Sequence, residues 1–221
     1  MKRRRALSTV LLITAITAGA ALAQGFRFSQ PDDTAAREAA ARDERIALDL
    51  SVPCRQELTN KKIMVVIGER ESNGYIEAHQ QNYGPHYRAI NTRLQALGLR
   101  TYTPEEIRRQ IAQAEIDAYF RNDPDAALSA SRRLGASFVL RGLISSEAMP
   151  NPLLAVNQVS VNMGFTLSAS NGRVISDTQA SASAYAGADV RRMAQTLVDE
   201  NADEVVAKLY GDYCRNASAR K

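Results

Sequence analysis

Between Lys62 and Gly68 the chain runs Ile63-Met64-Val65-Val66-Ile67 with no polar residue. A continuous apolar run of this kind reads as a strand buried on both faces. The polar stretch from Glu69 to Gly84 then reads as a long loop, with Tyr75, His79 and Tyr83 embedded in it. Pro85 opens a helix whose apolar stripe is Tyr87, Ile90, Leu94 and Leu97, closed by Gly98. Leu99 to Tyr102 is a short second strand, and Thr103-Pro104-Glu105-Glu106 is a capping box with proline at the first helical position. Ile107, Ile111, Ala114 and Ala118 form the inner face of that helix. Asp123-Pro124 starts another, which runs through Leu128 to Leu134 and ends at Gly135.

From Phe138 the period switches. One side of Phe138–Ile144 is wholly apolar, and Val159, Val161, Met163, Phe165 and Leu167 alternate cleanly with Ser160, Asn162 and Thr166. Asn171-Gly172 predicts a type I′ hairpin with both central residues at positive φ. The return strand, Arg173 to about Tyr185, is crowded with Ser and Ala, which lets a helix pack closely on it. Val190, Met193, Leu197, Val198, Ala202, Val205 and Leu209 stripe a long last helix, with Gly211 beyond it. Upstream, Thr34 to Leu50 is rich in Ala, Arg and Glu, all strong helix formers, and Pro53 stops it. The order β-α-β-α-α-β-β-β-α with an N-terminal helical extension predicts an α/β (α+β) fold, a mixed sheet flanked by helices.

The chain's start changes the electrostatic picture. Lys2, Arg3, Arg4 and Arg5 precede an apolar run, Leu7 to Leu22, which closes on Ala21-Leu22-Ala23. That pattern is a secretory signal peptide; an uncleaved anchor is the competing reading, but Thr14, Thr17 and Gly19 dilute the run. Residues 1–23 hold four of the 28 basic residues and none of the 24 acidic ones, leaving a mature chain of zero formal net charge. Nucleic-acid binding needs a surplus of Lys and Arg, so none is expected. No Cys follows the small residues, so the mature protein is expected to be periplasmic, not lipidated and without a stable membrane anchor. The expected organisation is a signal peptide at 1–23, a flexible leader and Ala-rich helix at 24–53, a single domain at 54–215 and a disordered tail at 216–221. Cys54 and Cys214 stand at the two ends of that domain and, in an oxidising compartment, predict a structural disulfide; two free buried thiols are the alternative.

Certain phrases carry a family resemblance. They are Lys62–Gly68, Leu97-Gly98-Leu99-Arg100-Thr101-Tyr102-Thr103, the strand entry Arg133-Leu134-Gly135-Ala136-Ser137-Phe138-Val139-Leu140-Arg141-Gly142, and the strand–turn–strand of Gly164–Ile175. With the element order, they make roughly residues 60–212 resemble the CsgG-like family of envelope proteins, related to the curli-secretion channel, LpoB-type synthase activators, FlgT and the TolB amino-terminal domain. The resemblance implies a periplasmic α/β adaptor. Pore formation does not carry over, because Met149-Pro150-Asn151-Pro152-Leu153-Leu154 is too short and too rich in proline for a membrane hairpin.

Candidate chemistry is sparse. There is no G-x-S-x-G elbow, no phosphate-binding glycine spacing, and no Cys placed as an activated thiolate. The polar segment after the first strand is the expected binding surface, since open α/β sheets place ligands at the carboxyl ends of their strands. Glu69, Arg70, Tyr75, His79, Tyr83 and Tyr87 are its candidate residues, tyrosines being favoured in interfaces. An ordinary surface loop whose tyrosines cover the first helix is the plainer alternative. The expected function is a non-enzymatic accessory protein that binds an envelope protein, without cofactor or metal. A metal-dependent enzyme built on His79, His86, Glu71 and Glu77, or a small-ligand sensor using the same loop, is the alternative.

Overall fold

The computed structural model describes residues 33–70, 76–78, 84–111, 116, 124–153, 156–187 and 189–218. The expected signal segment, and Tyr75, His79, Tyr83, Ala114 and Ala118, lie outside them. Helix α1 (Asp33–Leu50) and a single turn, α2 (Arg55–Leu58), lead into strand β1 (Lys62–Arg70). Then come β2 (Ile76–Ala78), α3 (Pro85–Ala96), β3 (Arg100–Thr101), α4 (Pro104–Gln110) and α5 (Pro124–Leu134). The chain finishes with β4 (Phe138–Pro150), β5 (Asn157–Ala169), β6 (Val174–Ala186) and α6 (Val190–Ser218). The strands form one mixed sheet in the order β2-β1-β4-β5-β6, with β3 also paired to β1. β1 runs parallel to β3 and β4, and β4, β5 and β6 form an antiparallel meander. This is the α+β architecture that the residue pattern predicts.

The apolar run of β1 is divided between two layers. Ile63, Val65 and Ile67 join Tyr87, Ile90 and Leu94 of α3 and Leu197, Val198, Val205 and Leu209 of α6 in the main core. Met64 and Val66 face the other way, onto Tyr102, Ile107 and Ile111 and, from α5, Ala130 and Leu134. The buried part of this second layer lies over β1 and the start of β4, and Leu128 of α5 also meets the turn at Gly172. Farther along β5 and β6 the same face is bare among the described residues, which is why it reads Ser160, Asn162, Gln179, Ser181, Ser183. On the covered face, Ala180, Ala182, Ala184 and Ala186 let α6 lie close.

Local chemistry sets the ends of the elements. The capping box forms as expected: Glu106 N–H donates to Thr103 Oγ1 at 3.2 Å, and Thr103 N–H donates to Glu106 Oε2 at 2.8 Å. Replacing Thr103 by Ala is expected to cost about 1 kcal/mol, read as a lower urea midpoint at unchanged slope; an unmoved midpoint contradicts it.

The β5–β6 turn differs from the expected type I′. Among the described residues only Gly172 in this turn has positive φ, at 89°. Gly172 N–H donates to Ala169 O at 2.9 Å, Arg173 N–H donates to Asn171 Oδ1 at 3.2 Å, and the ladder slips between Leu167 and Ser168. Asn-Gly serves either a type I′ turn or a turn closed by a left-handed glycine with a bulge; the slip beside it selects the second.

The last helix also exceeds expectation. It continues through Gly211, buried beside Asp49 of α1, and reaches Ser218, so residues 216–218 are helical rather than a tail. Asn216 Nδ2 donates to Ile175 O at 3.0 Å and ties this end to β6. Arg93 clamps α3 to α6 through Asp199 at 3.0 Å and Asp203 at 2.8 Å, and its hydrogen bonds hold the Asp203 carboxyl below the usual carboxylate range.

The two cysteines are joined. Cys54 and Cys214 form a disulfide with Cα atoms 5.6 Å apart at a sequence separation of 160. It fastens the segment before β1 to the end of α6, where the Tyr210 hydroxyl also donates to Val52 O at 2.5 Å and accepts from Cys54 N–H at 3.4 Å. No helix among the described residues is long and apolar enough to cross a membrane.

Candidate functional site

One end of the sheet gathers most of the chemistry. β1 finishes there at Arg70, paired with Ser145, while β4 runs on to Pro150, paired with Asn157 of β5. The N-terminus of α3, the β4–β5 connection and the last residues of β6 lie at this same end. The expected loop after β1 is partly strand. β2 folds back antiparallel, with Gly68 opposite Ala78 and Arg70 opposite Ile76. The pairing comes from the sheet rather than from any alternation in the sequence.

Glu69 continues the face of β1 that packs on α3, so its carboxylate meets the first turn of that helix. Its Oε1 pairs with His86 Nδ1, the two side chains being 24% and 11% exposed. A carboxylate at Nδ1 orients an imidazole and leaves Nε2 to act. His86 Nε2, however, is buried and has no hydrogen-bond partner among the described residues. Both cysteines are in the disulfide, and no group of three His, Cys, Asp or Glu side chains with metal-binding geometry occurs among the described residues.

The structure places the candidate residues differently from one another. Glu69 is at the end of β1 and partnered with His86. Arg70 is the last residue of β1, beside Ser145 in register. Tyr87 is 1% exposed and packs in the main core, so its ring belongs to the stripe of α3 and not to a surface. Tyr75, His79 and Tyr83 lie outside the described residues, as does Glu71. Of the four residues considered for a metal, only the His86 side chain is described, and it is taken by Glu69.

A feature the sequence reading passed over stands beside this pair. Met149, Leu153 and Tyr185 are 51%, 90% and 62% exposed, which is unusual for large apolar side chains. Gln158 of β5 is in register with Met149 on one side and Tyr185 on the other, so both flank it on the bare face of the sheet. Leu153 is held outward by the connection itself. Leu153 N–H donates to Asn151 Oδ1 at 2.9 Å, and Asn151 N–H donates to Val156 O at 2.9 Å. The signal was available in Met149–Leu154, where apolar residues sit between prolines that bar them from a buried ladder. Below this tip the bare face holds an open hollow of about 330 Å³ between Leu143, Ser145, Asn162, Gly164, Gln179 and Ser181.

No family model and no curated protein matches the chain. Solved structures with a similar fold include a minor lipoprotein from Acinetobacter baumannii, 12% identical over 69% of this chain and 92% of that one, with a TM-score of 0.40. The LpoB C-terminal domain from Salmonella enterica is 11% identical over 64% and 93%, with a TM-score of 0.37. Lipoprotein GNA1162 from Neisseria meningitidis is 13% identical over 65% and 99%, with a TM-score of 0.39. Likeness at this level carries no argument about function, which rests on the chain's own residues.

Proposed function

We propose that this chain is an exported, non-enzymatic accessory protein of the bacterial envelope that binds another envelope protein through the Glu69 end of its sheet. The observation that carries the reading is the exposure of Met149, Leu153 and Tyr185, three large apolar side chains at one end of the sheet. Tyr and Met are enriched at the centres of protein interfaces. The disulfide supports an oxidising compartment, and the basic-then-apolar start supports export. The resemblance of residues 60–212 to the CsgG-like family points to the same class of role.

The test is chemical crosslinking in the periplasm, with identification of what co-purifies. One envelope protein is expected, and its yield is expected to fall at least tenfold in Leu153→Glu and Tyr185→Glu variants, about 1.4 kcal/mol or more of binding. Both side chains are exposed, so the melting temperature is expected to stay unchanged. Equal capture by the charged variants would overturn the assignment of this surface.

A further inference from the structure

We infer that a second copy of this chain covers the free edge of β6 together with α1, joining two sheets into one. Among the described residues β6 is the last strand of the sheet and has β5 as its only ladder partner. Edges this long are normally blunted by lysine, proline or an extra bulge. Along the 13 residues of β6 there is no lysine and no proline, Asp177 is the one charged residue, and the one bulge, at Ile175, lies at the start of the strand and leaves residues 176–186 regular.

Helix α1 is exposed along most of its length. Ala36, Ala39, Ala40 and Ala47 are all exposed, and Leu48 and Leu50 are 68% and 43% exposed. It is fastened along α6 by the Arg45–Glu204 pair at 2.7 Å and the Arg215–Asp49 pair at 3.0 Å. Its small residues make a face on which another helix can approach closely.

The two unpartnered features border one groove. Glu38 and Arg42 of α1, Ser181 to Ala184 of β6, and Leu197 and Glu200 of α6 line a space of about 630 Å³. One occupant therefore meets both the strand edge and the helix. The charges favour a second copy over a foreign strand, because this surface complements itself. An antiparallel β6–β6 pair with its two-fold axis at Ala180 sets Asp177 opposite Ser183 and Gln179 opposite Ser181, within the regular part of the strand. The only charge on the strand thus never meets its own symmetry mate, which would be destabilising. Two α1 helices crossing at Ala40 bring Glu38 of one copy to Arg42 of the other, a residue that within its own chain lies 3.7 Å from Glu204. Two-fold closure is the commonest route to a homo-oligomer. The strip is about 40 Å long and two layers, about 20 Å, deep, the scale of the ~800 Å² per partner that a standard interface buries.

The test uses the full mature chain, residues 24–221, with its disulfide intact, and reads mass by light scattering across a concentration series. The wild type is expected at twice the chain mass. A Gln179→Lys/Ser181→Lys variant puts like charges opposite each other and is expected to halve that mass. A Gln179→Glu/Ser181→Glu variant is expected to do the same alone and to restore the doubled mass when mixed with the Lys variant. Both substituted positions, Gln179 and Ser181, are exposed on the polar face of β6, so circular dichroism melting is expected to match wild type. Should either pair fail to fold, Ala40→Glu on α1 gives an independent reading and is expected to yield the single mass. A wild type of single mass throughout, or variants that keep the doubled mass, would overturn the inference. So would doubled mass lost by Leu153→Glu and kept by the strand variants, which places the contact at the tip.

Discussion

Replacing both Cys54 and Cys214 by Ala is expected to lower the melting temperature by roughly 10 °C. The bridge joins residues at a sequence separation of 160, and the chain-entropy model gives about 5 kcal/mol for a loop of this size as an upper figure. Measured losses in secreted domains run at about 2–5 kcal/mol, and a domain of this length moves by about 2–4 °C per kcal/mol. The native geometry is expected to survive the change. Cys54 is 6% exposed and Cys214 0% exposed, both inside the main core. Tyr210 independently holds Val52 and Cys54 against α6. The effect therefore falls mainly on the unfolded chain, which gains freedom, and near-ultraviolet circular dichroism of the folded variant should be close to wild type. A shift below about 2 °C would show that the unfolded chain keeps these two segments together without the bond.

Phe165→Ala is expected to cost about 3–5 kcal/mol, measured as the lost free energy of unfolding in urea. Phe165 is 1% exposed at the centre of β5, directly across from Gly142 of β4. Its ring lies over that glycine. A methyl at Gly142 would run into Phe165 Cε1 and come within 3.1 Å of Ile67 Cγ1. Gly142→Ala is therefore expected to cost about 1–3 kcal/mol by overpacking. The two changes should not add. In the double variant the new methyl occupies part of the space left by the ring, so its cost is expected to fall short of the sum by at least 0.5 kcal/mol or so. Simple additivity would mean that the ring and the glycine do not share the space.

The elements legible in the residues are those whose pattern is set by burial on the spot. The unbroken run of β1 reflects two covering layers, and the alternation of Val159 to Leu167 reflects one covered and one bare face. Thr103, Pro104 and Gly135 mark helix ends through local hydrogen bonding and backbone preference. What could not be read depends on distant partners. β2 is a strand because β1 offers it an edge. β4 and β5 outrun their apolar stretches because solvent-facing strands need no apolar pattern to stay paired. The pairing of Glu69 with His86 requires α3 to fold back over β1. Tyr87 stood in two roles at once, as a stripe residue and as a candidate contact, and helical spacing decided for the stripe. At the tip, the prolines that argue against a membrane hairpin also keep Met149 and Leu153 out of a buried ladder, a consequence not read from the sequence alone.

Site-specific photo-crosslinking in the periplasm tests the central claim most directly. A photoreactive residue at Leu153 is expected to give one discrete adduct with an envelope protein. The same residue at Asn171, in the turn at the opposite end of the sheet, is expected to give none. An adduct from Asn171 and none from Leu153 would contradict the account, and so would adducts of equal yield from both.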